Sequence, residues 1–141
     1  MAEPITFINS LYDESFSLLV EARNYFQHSE SSYVASSTGA PRDRLFVNYQ
    51  AMRLTSRMTQ AMAWLLAQRA VQCGELTTVQ ACGGNFSLGG ERVCVDRDGH
   101  SDNRLPSPMR GLLDRSHNLY MRVWRLDQQA RTKVASTLYG E

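Results

Sequence analysis

The chain has 141 residues, 43% of them hydrophobic, and a formal charge of +1, so one domain can bury on the order of two thirds of its unfolded surface without disulfide or metal support. The near-zero charge argues against a strongly basic nucleic-acid protein, no run approaches the ~18 apolar residues of a membrane span, and the opening MAEPITFINSLYDE lacks the basic and long apolar parts of a signal peptide. Three cysteines at irregular spacings suit a reducing compartment rather than a disulfide framework, and the expectation is one cytoplasmic domain, residues 1–141.

In chain order, FINSLYDESFSLLVEARNYFQH follows Thr6, a suitable helix cap, and places Ile8, Leu11, Tyr12, Ser15, Leu18, Leu19, Ala22, Tyr25 and Phe26 on one side. The spacing predicts an amphipathic first helix over about 6–28. SESSYVASSTGAPRD has no apolar period and reads as a connector, with Asp43 or the Pro41 turn opening the next element. The stretch from Leu45 to Leu76 meets no Gly, Pro, Asp or Glu before Gly74 and is rich in Ala, Leu, Met, Gln and Arg, which predicts a central helix over about 44–73 ended by a left-handed glycine. Two apolar rows run down it: Val47, Ala51, Leu54, Met58, Ala61, Leu65, and Leu45, Tyr49, Met52, Thr59, Met62, Leu66, with Trp64 between them near the far end. One neighbour cannot cover so wide a surface. The Met58, Ala61, Trp64, Leu65 region is therefore expected at or near a twofold contact in a homodimer.

Residues 77–104 change character. TTVQAC can add a short turn of helix, but Gly83 to Asn103 is glycine-rich without helical period, and the alternation in FSLGGERVCV allows a small hairpin about Gly89 and Gly90 as well as a flexible loop. Ser107 and Pro108 then signal a third helix, over about 107–138, with an apolar row from Met109 to Val134. The expected fold is all-α: a three-helix bundle with one irregular Gly-rich insertion between the second and third helices.

Charge is divided unevenly among these helices. Of the 15 basic residues only Lys133 is not arginine; residues 44–73 hold four arginines and no acid, residues 107–138 hold six basic residues against Asp114 and Asp127, and the first helix is net acidic through Asp13, Glu14 and Glu21. Arginine's planar fork suits bidentate contacts to carboxylates, so Arg53, Arg57, Arg69, Arg115, Arg122 and Arg125 are expected to include a partner-recognition surface, with Asp127 orienting Arg122 or Arg125 and some of the set pairing with the first helix instead. Arg115, Arg122 and Arg125 could also meet phosphates, but no aromatic stacking platform accompanies them, and nucleic-acid binding by a small helical regulator ranks below protein binding.

Catalytic and metal motifs do not survive inspection. Cys73, Cys82, Cys94 and His100 lack the close pairs of a structural zinc site; Asp96, Asp98, Gly99 and Asp102 resemble a calcium loop whose glycine comes too early and which no Glu closes; Gly84 to Gly89 has phosphate-loop spacing followed by Gly90 and Glu91 where Lys and Ser or Thr are required. No Ser or Cys sits beside a recognisable base. A non-enzymatic protein without metal or cofactor is expected.

The runs MRLTSRMTQAMAWLLAQRAVQCGEL at 52–76 and LPSPMRGLLDRSHNLYMRVWRLDQ at 105–128, with FINSLYDESFSLLVEARNYF at 7–26, resemble the regulator of CtrA degradation (RcdA) family of alphaproteobacterial proteolytic adaptors. The resemblance covers roughly residues 7–138 and implies a dimeric three-helix bundle without enzymatic activity. It also implies partners: the ClpX/ClpXP protease, the response regulator CpdR, and substrates such as the cell-cycle regulator CtrA.

Overall fold

The computed structural model describes residues 3–35 and 41–139. They form α1 (Glu3–Ala35), α2 (Pro41–Gln72), α3 (Thr78–Ala81), a 3₁₀ turn (Gly84–Phe86), α4 (Glu91–Cys94) and α5 (Ser107–Tyr139). The class is all-α, with no strand among the described residues. Five helices replace the expected three. α1 starts before Thr6 and runs on through the serines read as a connector, whose residues 36–40 lie outside those described. The hairpin about Gly89 and Gly90 does not form; Gly90 instead precedes α4 in the left-handed region. The short turn after Thr77 does form, as α3, because Thr77 and Gln80 cap each other's backbone N–H groups at 3.1 and 2.9 Å.

The three long helices pack on one another. α1 buries one narrow stripe, Ile8, Leu11, Ser15, Leu18 and Ala22, at alternating spacings of three and four, and the Ser15 hydroxyl is satisfied within the helix by the Leu11 carbonyl at 2.8 Å. The first predicted row of α2 supplies the core against it: Leu54, Met58, Ala61 and Leu65 are buried, with Val47 and Ala51 packed at the edge. α5 contributes Met109, Leu112, Leu113, Leu119 and Val123.

Helix directions follow from the side chains that meet. Arg115 reaches Glu21 and Arg122 reaches Glu14, so α5 runs antiparallel to α1. Arg57 of α2 meets Leu113 and Ser116, whereas Trp64 meets Asp127, so α2 and α5 run parallel. Parallel neighbours cannot be joined by a tight turn, and the chain after α2 must travel back along it before α5 can start. The segment at 73–106 makes that journey.

Its attachment is a ladder of side chains on one face of α2. Gln60 accepts the Gly89 N–H at 2.9 Å; Arg57 donates to the carbonyls of Cys94 and Asp96 at 2.8 and 2.7 Å; Arg53 and Gln50 both donate to the Asp98 carbonyl, at 2.8 and 3.0 Å. Beyond them Arg104 stacks 3.9 Å over the Phe46 ring and pairs with Asp43 at 3.4 Å. The α2 positions descend 60, 57, 53, 50, 46, 43 while the segment ascends, and at 1.5 Å per residue the ladder spans about 25 Å. An irregular backbone turns carbonyls inward that no helix or sheet partner can satisfy, and arginine and glutamine supply the missing donors. Contact is close enough at Gly99 (φ 85°) that a Cβ there would sit 2.7 Å from Gln50 Nε2 and 2.8 Å from Phe46 Cζ.

The expected flexible insertion at 77–104 is therefore corrected: Ala81, Cys94 and His100 are buried, and the ladder ties the segment to the core. Replacing Arg57 by Met keeps most of the apolar stem but takes away the side-chain donor that the Cys94 and Asp96 carbonyls and His100 Nε2 share. Its unfolding free energy in a denaturant titration is expected to fall by about 3–5 kcal/mol, the range for breaking a buried charged network.

Candidate functional site

Arg57 is fully buried and all its guanidinium N–H groups are engaged. Besides Cys94 and Asp96, it donates to the Leu113 carbonyl at 3.0 Å, to Ser116 Oγ at 3.2 Å and to His100 Nε2 at 3.0 Å. No carboxylate among the described residues pairs with it. Loss of solvation, reinforced by neighbouring Arg53, lowers its pKa to about 10, which still leaves it charged at neutral pH. Arg53, 2% exposed, holds Asp96 at 3.3 Å and lies 4.9 Å from the Tyr49 ring centroid.

The imidazole of His100 must be neutral here. Arg57 can only donate, so Nε2 accepts, and the ring proton sits on Nδ1, which donates to Asp114 Oδ1 at 3.2 Å. Burial, then the Arg57 charge, pushes the His100 pKa down to about 4. His117, edge-on to it at 6.0 Å, donates from Nε2 to the Val95 carbonyl and is also lowered, chiefly by burial. Burial likewise raises the Cys94 thiol and the Tyr120 hydroxyl, which donates to the Gly89 carbonyl at 2.8 Å. These titratable groups fasten the return segment between α2 and α5. No group of three or more His, Cys, Asp or Glu side chains is placed to hold a metal ion among the described residues.

The expected recognition arginines divide accordingly. Arg53 and Arg57, read as exposed edge residues, are core; that expectation fails because irregular carbonyls nearby require donors. Arg115 and Arg122 meet Glu21 and Glu14 of α1, and Arg69 lies 5.1 Å from the Tyr12 ring centroid. Of the six only Arg125 is both exposed and without an ion pair or ring contact among the described residues. Asp127 orients neither Arg122 nor Arg125; it is 2% exposed, accepts the Trp64 indole N–H at 3.0 Å, and binds Arg131 at 2.8 Å.

The expected dimer contact is corrected in the same way. Met58, Ala61, Trp64 and Leu65 are at most 4% exposed within one chain, because α1, α5 and Asp127 cover them. The second row of α2 faces outward instead, with Leu45, Tyr49, Met52 and Leu66 exposed. Between Arg44 and Arg69 this outer face carries no charge, since the only charged residues in that stretch are the buried Arg53 and Arg57. Sequence periodicity found both rows, but nothing in it separated the covered row from the open one.

Two clefts flank the N-terminal half of the ladder, one lined by Tyr49, Gln50, Arg53, Asp98 and Gly99, the other by Arg42, Leu45, Phe46, Tyr49 and Arg104. Two acids of the first are paired internally: Asp96 with Arg53, and Asp102 with Arg104, whose side-chain and backbone N–H bonds hold the Asp102 pKa near 2.

The chain belongs to the DUF1465 family of proteins of unknown function, whose model matches residues 3–139. No curated protein and no solved structure matches it.

Because the folded His100 has a pKa near 4 against about 6.5 in an unfolded chain, the folded state takes up its proton later on acidification. Its stabilising contribution is complete above pH 6.5 and is lost as pH falls from there to 4, by roughly 2–3 kcal/mol. His100→Gln keeps an acceptor for Arg57 and a donor for Asp114 without titrating. Urea unfolding between pH 7 and 4 is expected to show a shallower loss in this variant than in the parent chain.

Proposed function

We propose that this DUF1465 member is a non-enzymatic adaptor of regulated proteolysis, working in the cytoplasm as a homodimer. Its partners in this reading are the ClpX/ClpXP protease, a CpdR-like response regulator and CtrA-like substrates. The observation that carries it is the resemblance of the runs at 52–76 and 105–128 to the regulator of CtrA degradation family. Those runs hold Arg53, Arg57, Trp64, Ser116, His117, Tyr120 and Asp127, the side chains that lock α2, α5 and the return segment together. The resemblance thus falls on residues that build the frame, which supports a shared architecture: a three-helix bundle carrying a Gly-rich return segment between its second and third helices.

Tethering needs no reacting group. Holding a protease-bound regulator and a substrate on one scaffold raises the effective concentration of the second contact to the millimolar range for short connections. The buried His100, His117 and Arg57 fit this reading, since each is committed to internal hydrogen bonds.

Affinity capture from the native cytoplasm, run with and without ATP and read by mass spectrometry, tests the reading. ATP-dependent recovery of the ClpX unfoldase together with a response regulator supports it. Recovery of nucleic acid in their place overturns it in favour of a helical nucleic-acid-binding regulator.

The homodimer is assigned to the uncharged outer row of α2, because a self-complementary contact about a twofold axis is simplest where no like charges face each other. Light scattering at micromolar concentration is expected to give twice the chain mass. Met52→Glu with Leu66→Glu is expected to give the monomer with a melting temperature within a few degrees of the parent, as both residues are exposed. A parent chain that is strictly monomeric overturns the assignment.

A further inference from the structure

On α5 the row Arg110, Asp114, His117, Met121, Trp124 is spaced alternately by four and three, and the return segment meets it at Asp114 and His117. The segment bonds its middle: Arg97 reaches Asp114 at 3.4 Å, and the Val95 carbonyl accepts from His117 at 2.9 Å. The two ends are different. Arg110 Nε–H and Trp124 Nε1–H are shielded from solvent without any acceptor among the described residues. Both groups can only donate, and fourteen residues of helix place them about 21 Å apart. Arg125 beside Trp124 and Arg92 on α4 are exposed, and neither they nor Arg110 have an ion pair among the described residues. Tyr120 and His117 bond to Gly89 and Val95 on either side of α4, which sets Arg92 and the exposed Val93 alongside this row.

We propose that this α4–α5 face binds an acidic amphipathic helix of a protein partner. Carboxylates of that helix, one heptad or two apart, meet Arg92, Arg110 and Arg125, while its apolar stripe lies on Val93, Met121 and the Trp124 ring. The charge pattern selects this occupant. Donor-only ends reject a basic ligand, and Asp114 at the centre of the row with Glu91 on α4 interrupts the positive field that a continuous phosphate backbone would follow. Arg115 and Arg122, on the opposite flank of α5, are already neutralised by α1 and offer no such surface. The inference rests on the adaptor reading for its biological meaning, but the contact itself can be measured without protease or substrate.

The probe is a fluorescein-labelled amphipathic peptide of about five helical turns, with glutamates at heptad spacing beside a leucine stripe, followed by anisotropy. Controls are the same peptide with lysines for glutamates and a single-stranded DNA of similar length. The glutamate peptide is expected to bind, with Arg125→Glu weakening it about tenfold or more at an unchanged melting temperature. Trp124→Phe, which replaces the indole by a smaller ring and removes its N–H, is expected to weaken it about fivefold with a melting temperature only a few degrees lower, because no internal hydrogen bond is broken and a ring still fills most of the site. Equal binding of the lysine peptide, tighter binding of DNA, or indifference to Arg125→Glu or to Trp124→Phe each overturns the proposal. Peptide binding that behaves as expected while ATP-dependent capture fails leaves this surface standing and removes only the adaptor role.

Discussion

The structure depends on one buried cation held almost entirely by oxygen dipoles. Arg57 gives its N–H groups to three backbone carbonyls, a serine hydroxyl and a neutral histidine. Carboxylates lie one step further out, Asp96 beyond Arg53 and Asp114 beyond His100. Burying a guanidinium costs several kcal/mol, offset only when the whole fork is satisfied, and here it is. Because the acceptors come from α5 and from either side of the bend after α4, one side chain fixes three pieces of chain at once. Apolar packing alone would not do this, since the inward carbonyls of an irregular segment need donors wherever they are buried.

From that constraint the topology follows. Parallel packing of α2 and α5 obliges the chain to return along α2, and a return path whose regular structure is two one-turn helices and a 3₁₀ turn must borrow the rest of its hydrogen bonds from a helix face. The face that lends them is polar at Gln50, Arg53, Arg57 and Gln60, at a spacing of three and four that in most helices would mark a solvated side. Its burial explains the composition of α2: two of its arginines are spent internally, and its outer row is left without charge.

The surface is defined by what the interior uses. α1 neutralises Arg115 and Arg122 through exposed pairs that add at most about 1 kcal/mol each to stability, yet they decide which arginines remain open. Asp127 is withdrawn by Trp64 and Arg131. What remains is an uncharged row on α2 and a basic, partly apolar face on α4 and α5, on different sides of the molecule's central helix pair. In the proposed reading the first serves self-association and the second an acidic partner, the two independent contacts that a tether requires.

The helical class, the three long helices and the short turn at Thr77 were legible in the sequence, because each follows from local spacing and capping: the apolar rows of 3.6 period, Gly74 and the Thr77–Gln80 pair. The Glu14 and Glu21 pairing with the third helix followed from charge of opposite sign on neighbouring elements. The sequence could not reveal that α2 and α5 run parallel, that Arg53 and Arg57 point inward, or that Trp64, Met58, Ala61 and Leu65 are covered within one chain. Those facts depend on backbone carbonyls, which carry no sequence signature. A glycine-rich run looks the same whether its backbone faces water or the core, and an arginine opposite it looks like surface until the tertiary structure supplies carbonyls that only its N–H groups can satisfy.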